Sequence, residues 1–502
     1  MNRINRITRP KNLGQLMAGL APVAPGNRDL TITGVTADSR QVRNGTLFVA
    51  VPGFVHDGHN FILDAIHNGA KAIVYQNPDY DAVQGTRVPT VQVTDSRQTL
   101  AVIADRFYDH PSGLLDLVAV TGTNGKTTVL SLLDAIFRAA GLKTGTIGTL
   151  GATILDSHVP GDRTTPDAVG LQSLLARMVT ADVTHAAMEI TSHALDLHRA
   201  YQTSFAAAIY TNLSQDHLDW HHTMESYFAS KTALFSNYVE FSPDMVGVIN
   251  LDDLYGPKML ELARCRTISY GLTSQADARA TQVELSPTGN RFVIRLGDEQ
   301  LPVKTQLVGQ FNVYNCLGAA ATAWALGVKL SAIRDGLEWA SGADGRFQRV
   351  DAGQPFTVLV DYAHTPEALR NVLEAARGLN PRRLICVFGC GGDRDQSKRP
   401  KMGAVATELA DVTIITSDNP RSEDPETIVA QIAHGAREGR YAVQVDRRTA
   451  IADAIAEATA GDLVLIAGKG HETYQEFSDH RIDFDDRLVA TEALKQSGYQ
   501  SV

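Results

Sequence analysis

The sequence predicts an α/β protein whose domains are built around parallel β-sheets. A strand pattern, a glycine-rich loop and a helix pattern follow one another between residues 114 and 140. Strand and helix patterns then alternate regularly from residue 356 to residue 467. The chain has 502 residues, which is too long for one ordinary hydrophobic core, so roughly two to four domains are expected.

Composition and charge narrow the class of protein. Apolar residues make up 44% of the chain and charged residues 20%, which is typical of a soluble globular protein. The net charge of −10 argues against nucleic acid as a partner, because phosphate backbones are bound by clustered lysine and arginine. The four cysteines are scattered, and neither a signal peptide nor a run of about twenty apolar residues is found. We therefore expect a cytoplasmic protein with no membrane partner.

The first two regions of the chain differ in their patterns of apolar residues. Short strand-like runs, such as residues 47–51, fill the chain up to a break at residues 110–113. The mostly apolar run 114–120 then predicts a buried parallel strand, and apolar residues on one helix face follow over 129–140. Two further strands are predicted at residues 185–190 and 205–210, and a linker at residues 341–345.

The third region predicts a doubly wound parallel sheet, because strands and helices alternate without interruption. In such sheets ligands bind beyond the carboxyl ends of the strands, and the polar motifs of this region follow strands. The predicted strands cover residues 356–361, 384–388, 412–416, 441–445 and 463–467. One predicted helix begins at Thr365, and three others cover residues 402–410, 425–436 and 450–458.

The loop after the strand at 114–120 has the chemistry of a phosphate site. Its glycines permit a close approach of the backbone, and the helix behind it points backbone N–H groups at an anion. Lys126 can reach the outer phosphates of a nucleotide, and Thr127 offers a hydroxyl to Mg²⁺. The match to Gly-x-x-x-x-Gly-Lys-Thr is incomplete, because Val120 replaces the first glycine. We therefore predict that this loop binds ATP, through Thr121, Gly122, Thr123, Asn124, Gly125, Lys126, Thr127 and Thr128.

Polar residues that could hold the cation of ATP follow two further strands. Glu189 ends one strand and residues 212–219 follow the next, so both could meet the loop at one edge of the sheet. A capped turn is the alternative for residues 212–219, since Asn, Ser and Asp are ordinary turn residues. Lys231 lies in a predicted helix over residues 225–234, where its spacing indicates only a solvated charge.

These motifs resemble those of the Mur ligases and occur in that family's order over nearly the whole chain. Within the family they are similar to ligases that join an amino acid to UDP-N-acetylmuramoyl-L-alanyl-D-glutamate. The resemblance implies an N-terminal UDP-binding α/β domain, a central P-loop ATPase-like parallel-sheet domain and a C-terminal Rossmann-like doubly wound domain, at residues 1–112, 113–342 and 343–502. It is carried by the phosphate loop, Glu189, residues 212–219, Asn312, Asn315, Arg346 and residues 361–366, 389–395, 418–421 and 468–472.

The resemblance also implies roles for single residues. Besides the loop, Asn312, Asn315, Arg346 and Asp361 would contact the nucleotide. The implied Mg²⁺ ligands are Thr127, Glu189, His217 and Lys231, the last as a carbamate formed with CO₂. The muramoyl-peptide substrate would contact Ser39, Thr164, Thr165, Thr191 and Arg199, and the added amino acid would contact Arg394, Asp418, Asn419, Pro420, Arg421, Gly468 and Glu472. Phe54, Val55 and His56 occupy another stretch that contacts uridine in the family, without the sequence expected there.

The implied reaction has two steps. The D-glutamate side-chain carboxylate attacks the γ-phosphate of ATP, and the amine of the added amino acid then attacks the resulting acyl phosphate. Positioning and charge neutralisation would be the main tasks of the implied catalytic residues, which are Lys126, Glu189, His217 and Lys231. Closure of the domains is expected during turnover, and the protein is expected to be a monomer.

The identity of the added amino acid depends on the third region. Arg394 and Arg421 follow adjacent predicted strands and could each pair with a carboxylate, while Glu472 could hold an ammonium group. Meso-2,6-diaminopimelate carries the second carboxylate that L-lysine lacks, and the Asn-Pro-Arg form accompanies diaminopimelate in the family. We expect meso-2,6-diaminopimelate, with L-lysine as the alternative substrate and a structural ion pair as the alternative role of Arg421. The remaining alternatives are addition of D-alanyl-D-alanine, a folate polyglutamate ligase and a non-catalytic nucleotide-binding regulator.

Overall fold

The computed structural model describes residues 9–54, 56–78, 86–273 and 275–499. The chain divides into two compact units. The first comprises the chain up to Arg279 together with Ile294–Leu301 and Tyr314–Gly336, and the second comprises Ala280–Val293, Pro302–Val313 and the chain from Leu337 onward. The domain boundaries at residues 112 and 342 remain predictions. In the described residues, no helix has the length and apolarity needed to cross a membrane.

The N-terminal part of the first unit contains strands β1 (Lys11–Asn12), β2 (Thr31–Ile32), β3 (Gly34–Thr36), β4 (Thr46–Val49), β5 (Ala70–Tyr75) and β6 (Thr90–Gln92), and helices α1 (Leu13–Leu16), α2 (Ile62–His67) and α3 (Ser96–Phe107). Strands β3, β4, β5 and β6 form a parallel sheet in that order. Successive side chains of β4 enter cores on opposite faces, with Leu47 among the neighbours of α3 and Phe48 among those of α2. The strand predicted at residues 47–51 is therefore confirmed as a buried strand.

The chain from residue 116 to residue 339 carries strands β7 (Asp116–Thr121), β8 (Thr144–Gly148), β9 (Gly151–Ile154), β10 (Ser157–Val159), β11 (His185–Glu189), β12 (Ala207–Tyr210), β13 (Val246–Asn250), β14 (Arg266–Gly271), β15 (Ala278–Ser286), β16 (Gly289–Leu296) and β17 (Glu299–Thr305). Its helices are α4 (Lys126–Ala139), α5 (Ala168–Thr180), α6 (Ser192–Asp196), α7 (Leu218–His221), α8 (Met224–Ser236), α9 (Gly256–Leu262), α10 (Gln310–Ala325) and α11 (Leu330–Trp339).

The sheet of the first unit runs in the order β10, β9, β8, β11, β7, β12, β13, β14. The strands from β8 to β14 in this order are parallel, whereas β9 and β10 are antiparallel additions. Glu189 lies opposite Val120, and Tyr210 lies opposite Thr121. The residues that follow β7, β11 and β12 therefore meet at one edge of the sheet, as the sequence predicts.

The C-terminal part of the second unit contains strands β18 (Gln348–Val350), β19 (Thr357–Asp361), β20 (Leu384–Phe388), β21 (Val412–Ile415), β22 (Tyr441–Val443), β23 (Leu463–Ala467), β24 (Tyr474–Glu476) and β25 (Arg481–Asp483). Its helices are α12 (Pro366–Arg377), α13 (Lys398–Leu409), α14 (Pro425–Ala433), α15 (Arg447–Glu457) and α16 (Asp486–Gln496).

The predicted doubly wound sheet is confirmed in the order β18, β19, β23, β20, β21, β22. All neighbours pair in parallel except β18, an antiparallel edge strand that the sequence pattern did not reveal. Buried residues of α12, α13 and α14 pack on one face, and those of α15 and α16 pack on the other. Strands β24 and β25 form a separate antiparallel hairpin, which was also missed because each has only three residues.

Candidate active site

The phosphate loop joins β7 to α4 and needs glycine at two positions. Gly122 has φ +149° and Gly125 has φ +88°, conformations that side chains disfavour. A Cβ at Gly122 would overlap the Thr211 hydroxyl, and one at Gly125 would lie 2.5 Å from the Asn315 side-chain oxygen. The first N–H groups of α4 have no acceptor within the helix and so suit an anion. Thr127 and Thr128, both buried, lie in this first turn.

Two residues after β12 fasten this loop from the neighbouring strand. The Thr211 hydroxyl donates to the Asn124 carbonyl at 2.6 Å. The Asn212 side chain accepts from the Asn124 N–H at 2.9 Å and donates to its carbonyl at 3.1 Å, and the Asn212 carbonyl accepts from the Thr123 N–H. The run 212–219 therefore meets the loop, and its first residue pairs with the loop backbone.

Two lysines donate to one carbonyl of the loop. Lys126 Nζ lies 3.0 Å from the Gly122 oxygen, and Lys231 Nζ, from α8, lies 2.9 Å from the same oxygen. Lys231 is 1% exposed and also lies 4.7 Å above the Tyr227 ring. Burial, helped by the nearby Lys126 charge, holds the pKa of Lys231 well below its ordinary value. The expectation of a solvated charge at residue 231 is wrong, since helix α8 packs against the loop.

Glu189 ends β11 as a buried carboxylate beside the loop. The Thr149 N–H donates to Glu189 Oε1 at 2.9 Å, and the Thr149 hydroxyl donates to Oε2 at 3.2 Å. A Cβ on Gly148 would overlap Oε1, so the glycine makes room for the carboxylate. Thr149 follows β8, and its sequence context gave no signal of this contact.

His217 lies just before α7 with φ +54°. Burial lowers the pKa of its imidazole, so the ring is neutral at neutral pH, the form in which histidine binds metals. Within the described part of the chain, no group of three His, Cys, Asp or Glu residues could hold a metal ion. The Mg²⁺ ligands predicted from the sequence are not such a group, because a threonine hydroxyl and a modified lysine accompany Glu189 and His217.

The residues predicted to hold the muramoyl-peptide are joined by hydrogen bonds near Glu189. The Thr165 hydroxyl donates to the Glu189 carbonyl at 2.9 Å and accepts from the Thr191 N–H at 3.2 Å. Arg199 donates to the Thr165 carbonyl at 3.0 Å, and Thr164 lies 3.1 Å from Thr149 between hydroxyl oxygens. The structure thus brings four of the five predicted residues together.

The remaining predicted contacts of the UDP-substrate and the nucleotide lie on separate elements. Ser39 is buried at the start of a 3₁₀ turn and accepts from the Asn68 side chain at 3.0 Å. Val55 lies outside the described residues, whereas the neighbouring Phe54 ring contacts Trp220. Asn315 lies beside Gly125, and Asn312 donates to the Val308 carbonyl within the second unit.

In the second unit, Asp361 ends β19 and accepts the N–H groups of Phe347 at 2.7 Å and Ala363 at 2.8 Å. Burial raises the pKa of Asp361, an effect that the neighbouring Arg346 opposes. The Arg346 guanidinium stacks 4.8 Å from the centre of the Tyr362 ring. Arg346, which precedes β18, and Asp361, which ends β19, therefore lie close together.

The residues that follow β21 and β23 form one polar network. Asn419 donates to Glu472 Oε2 at 2.8 Å and accepts from buried Lys469 Nζ at 3.0 Å. Lys469 also pairs with Glu472 at 3.1 Å. Gly468, with φ +118°, leaves room for the Asp418 carboxylate, and the Pro420 carbonyl faces Gly392. Lys469 was not predicted, although it lies within the motif at residues 468–472.

The two arginines predicted to bind the added amino acid differ in the number of hydrogen bonds that hold their side chains. Arg421 donates from Nε to Glu476 Oε2 at 3.1 Å and from Nη1 to the Gly392 carbonyl at 2.7 Å. Arg394 is exposed and donates to the Asp393 carbonyl at 3.3 Å. The ion pair between Arg421 and Glu476 is the structural role that the sequence left open as an alternative.

Comparison with known proteins shows the family of the chain. Residues 31–108 match the Mur ligase family catalytic domain, residues 120–323 the Mur ligase middle domain, and residues 345–470 the Mur ligase glutamate ligase domain. The UDP-N-acetylmuramoyl-L-alanyl-D-glutamate–2,6-diaminopimelate ligase of Solibacter usitatus is 44% identical over 496 residues, which cover 97% of this chain and 99% of that protein.

Solved structures give the same result. A structure of a UDP-N-acetylmuramoyl-L-alanyl-D-glutamate–2,6-diaminopimelate ligase is 34% identical, with a TM-score of 0.73 and coverage of 98% of this chain and 100% of that chain. The MurF ligase of Thermotoga maritima in complex with ADP shares the fold at 18% identity, with a TM-score of 0.56 and coverage of 92% and 96%. The chain described here belongs to the Mur ligase family.

Proposed function

We propose that this protein uses ATP to join meso-2,6-diaminopimelate to UDP-N-acetylmuramoyl-L-alanyl-D-glutamate, in the cytoplasmic synthesis of peptidoglycan precursors. The observation that carries this proposal is the 44% identity, over nearly the whole length of both chains, with the Solibacter usitatus ligase of that name. Three domains at residues 1–112, 113–342 and 343–502 and a monomeric state belong to the same proposal.

The chemical problem is the poor leaving group of a carboxylate. The D-glutamate side-chain carboxylate attacks the γ-phosphorus of ATP, so that a carbon-bound oxygen joins the phosphorus and ADP leaves. The amine of diaminopimelate attacks the acyl carbon, inorganic phosphate leaves, and the nitrogen loses a proton. Both steps depend on holding the reactants in line and on neutralising charge, which this chain's residues provide.

The phosphate loop performs the first task. The N–H groups at the start of α4 donate hydrogen bonds to the phosphate oxygens. The Lys126 ammonium, which contacts the Gly122 and Thr123 carbonyls in the structure, turns to the outer phosphates when ATP binds. Thr211 and Asn212 hold the loop in the conformation that presents these donors. Asn312, Asn315, Arg346 and Asp361 complete the proposed nucleotide contacts.

Lys231 is suited to become a carbamate. Burial holds the pKa of its amine well below the ordinary value, which favours the neutral form that reacts with CO₂. Addition of CO₂ to this nitrogen forms an N–C bond, releases a proton and leaves two oxygens that share a negative charge. A carbamate would also place a negative charge beside Lys126, whose side chain donates to the same Gly122 carbonyl as Lys231.

Two Mg²⁺ ions belong to the proposal: Thr127 and Glu189 would hold the first, and His217 and carbamylated Lys231 would hold the second. Three of these four residues offer oxygen donors, which Mg²⁺ prefers, and the carbamate would add an anionic ligand to that of Glu189. Bound Mg²⁺ supplies positive charge to the phosphates and the acyl oxygen. Thr149 orients the Glu189 carboxylate toward this site through two hydrogen bonds.

The amino-acid site lies after β20, β21 and β23. Arg421 pairs with the carboxylate of diaminopimelate that lysine lacks, and Glu472 receives an ammonium group. Glu472 already accepts from Asn419 and Lys469, so its carboxylate is fixed in place before the ligand arrives. Arg394, Asp418, Pro420 and Gly468 line the same group of loops.

A phosphate-release assay with the UDP-dipeptide and ATP tests the proposal. We expect phosphate release with meso-diaminopimelate, at least about tenfold less with L-lysine, and none above background without an amine. Turnover with L-lysine but not with diaminopimelate would establish the alternative substrate. Absence of turnover with either amine would refute the ligase assignment.

A further inference from the structure

A short hairpin holds Arg421 in an unusual conformation. Arg421 has φ +52°, a region that non-glycine residues rarely adopt. Its backbone N–H donates to the Glu476 carbonyl at 3.0 Å, and Arg421 forms a parallel bridge with Phe477. The strand β24 and the turn that follows it therefore act as a support for the loop after β21.

The same hairpin also fixes the Arg421 guanidinium. Glu476 Oε2 takes the Nε hydrogen, and the Gly392 carbonyl takes a hydrogen of Nη1 from the other side. With these two contacts made, a ligand carboxylate would approach the edge formed by Nη1 and Nη2. The plane and direction of the guanidinium are thus set by two partners, Glu476 in strand β24 and Gly392 in the loop after β20.

Glu476 is itself held between two arginines. Its Oε1 accepts from Arg481 Nη2 at 2.9 Å, and the Arg481 guanidinium stacks 4.1 Å from the Tyr474 ring centre. The hydrogen bond from Arg481, together with that from Arg421, lowers the pKa of Glu476, so the carboxylate stays ionised. The carboxylate also offsets one of these two positive charges, which leaves a net attraction for a second carboxylate.

We propose that Glu476 is a positioning residue that presets the Arg421 guanidinium and thereby sets the preference for diaminopimelate over lysine. The inference rests on the proposed function and deepens it. An unrestrained arginine side chain loses rotational freedom when it binds, whereas Arg421 is restrained beforehand, so its bidentate pair with the carboxylate is favoured. Lysine has no carboxylate at this position and gains nothing from the restraint.

The test compares steady-state kinetics of the full-length enzyme with each amine. Glu476→Ala is expected to raise KM for diaminopimelate about tenfold, with kcat, KM for ATP and the weak use of lysine unchanged. Glu476→Gln keeps the size of the side chain and one acceptor oxygen, so a smaller increase is expected. Asp479→Ala is the matched control, because Asp479 is an exposed carboxylate in the same hairpin.

A double-variant cycle separates positioning from general damage to the hairpin. If Glu476 acts through Arg421, Glu476→Ala has no further effect on KM for diaminopimelate when Arg421→Ala is already present. An unchanged KM in Glu476→Ala, or additive effects in the double variant, would overturn the inference. Equal losses with both amines in Glu476→Ala and Glu476→Gln would also overturn it, in favour of a purely structural role. Wild-type enzyme that ligates no diaminopimelate would instead refute the proposed function.

Discussion

Replacement of Lys231 by methionine is expected to lower the ligation activity strongly while leaving the fold intact. The methionine side chain fills the space of the lysine stem, and the amine that CO₂ would modify is lost. Most buried residues contribute to stability, so a buried lysine whose removal costs little stability is an unusual expectation. It follows from the environment of Lys231, which contains a carbonyl, an aromatic ring and a second lysine.

The magnitude follows from the contacts of Lys231. The substitution removes one hydrogen bond to the Gly122 carbonyl, worth about 1 kcal/mol net. It also removes an amine whose folded-state pKa lies below the ordinary 10.5, so that between these two pKa values the unfolded chain binds a proton that the folded protein does not. This difference in proton binding lowers the free energy of unfolding of the protein without the carbamate, and the Lys231→Met variant does not carry this cost. The two effects oppose each other, so we expect the free energy of unfolding to fall by no more than about 1 kcal/mol.

Activity is expected to respond quite differently. Loss of an anionic ligand from a cation site should lower kcat/KM at least about 100-fold, or about 2.7 kcal/mol of transition-state stabilisation. The assays are phosphate release and thermal unfolding of the same preparations. Lys258→Met is the control, since Lys258 is an exposed lysine of the neighbouring helix α9. Lys231→Met that keeps more than a tenth of wild-type kcat/KM would refute the carbamate argument.

Three further outcomes are expected. Gly122→Ala should raise KM for ATP at least about tenfold, because a Cβ would overlap Thr211; Gly141→Ala, with positive φ but open space, is the control. Thr149→Val should lower kcat/KM about tenfold at fixed Mg²⁺, since one hydrogen bond to Glu189 is lost, and raising Mg²⁺ should restore part of the activity. Burial lowers the pKa of His471 from 6.5 to about 4, so the unfolded chain alone gains a proton between these pH values. Stability should therefore fall with acidity there, and the urea midpoint of His471→Asn should fall less.

The parallel sheets could be predicted because their strands are buried on both faces and so appear as continuous apolar runs. Strands β19, β20, β21 and β23 coincide with predicted runs to within a residue or two. The edge strand β18 and the hairpin β24–β25 could not be predicted, since each strand has three residues and little apolar pattern.

The site was predictable where function requires a particular residue type in a fixed order. The glycines of the phosphate loop and Glu189 at the end of β11 belong to this class. Supporting contacts were not predictable: Thr149 reaches Glu189 across 40 positions, and Glu476 reaches Arg421 across 55. These contacts depend on the tertiary structure, and nothing in the local sequence around a threonine or a glutamate indicates them. Lys231 is the clearest case, because only the packing of α8 distinguishes it from a surface lysine.

A competition experiment tests whether the enzyme selects diaminopimelate over lysine. Enzyme, ATP and Mg²⁺ are mixed with UDP-N-acetylmuramoyl-L-alanyl-D-glutamate and equal concentrations of meso-diaminopimelate and L-lysine, and the products are identified by mass. We expect the diaminopimelate adduct as the main product, with ADP and phosphate formed in equal amounts with it. A product that contains only lysine, or formation of ADP without any adduct, would refute the proposed function.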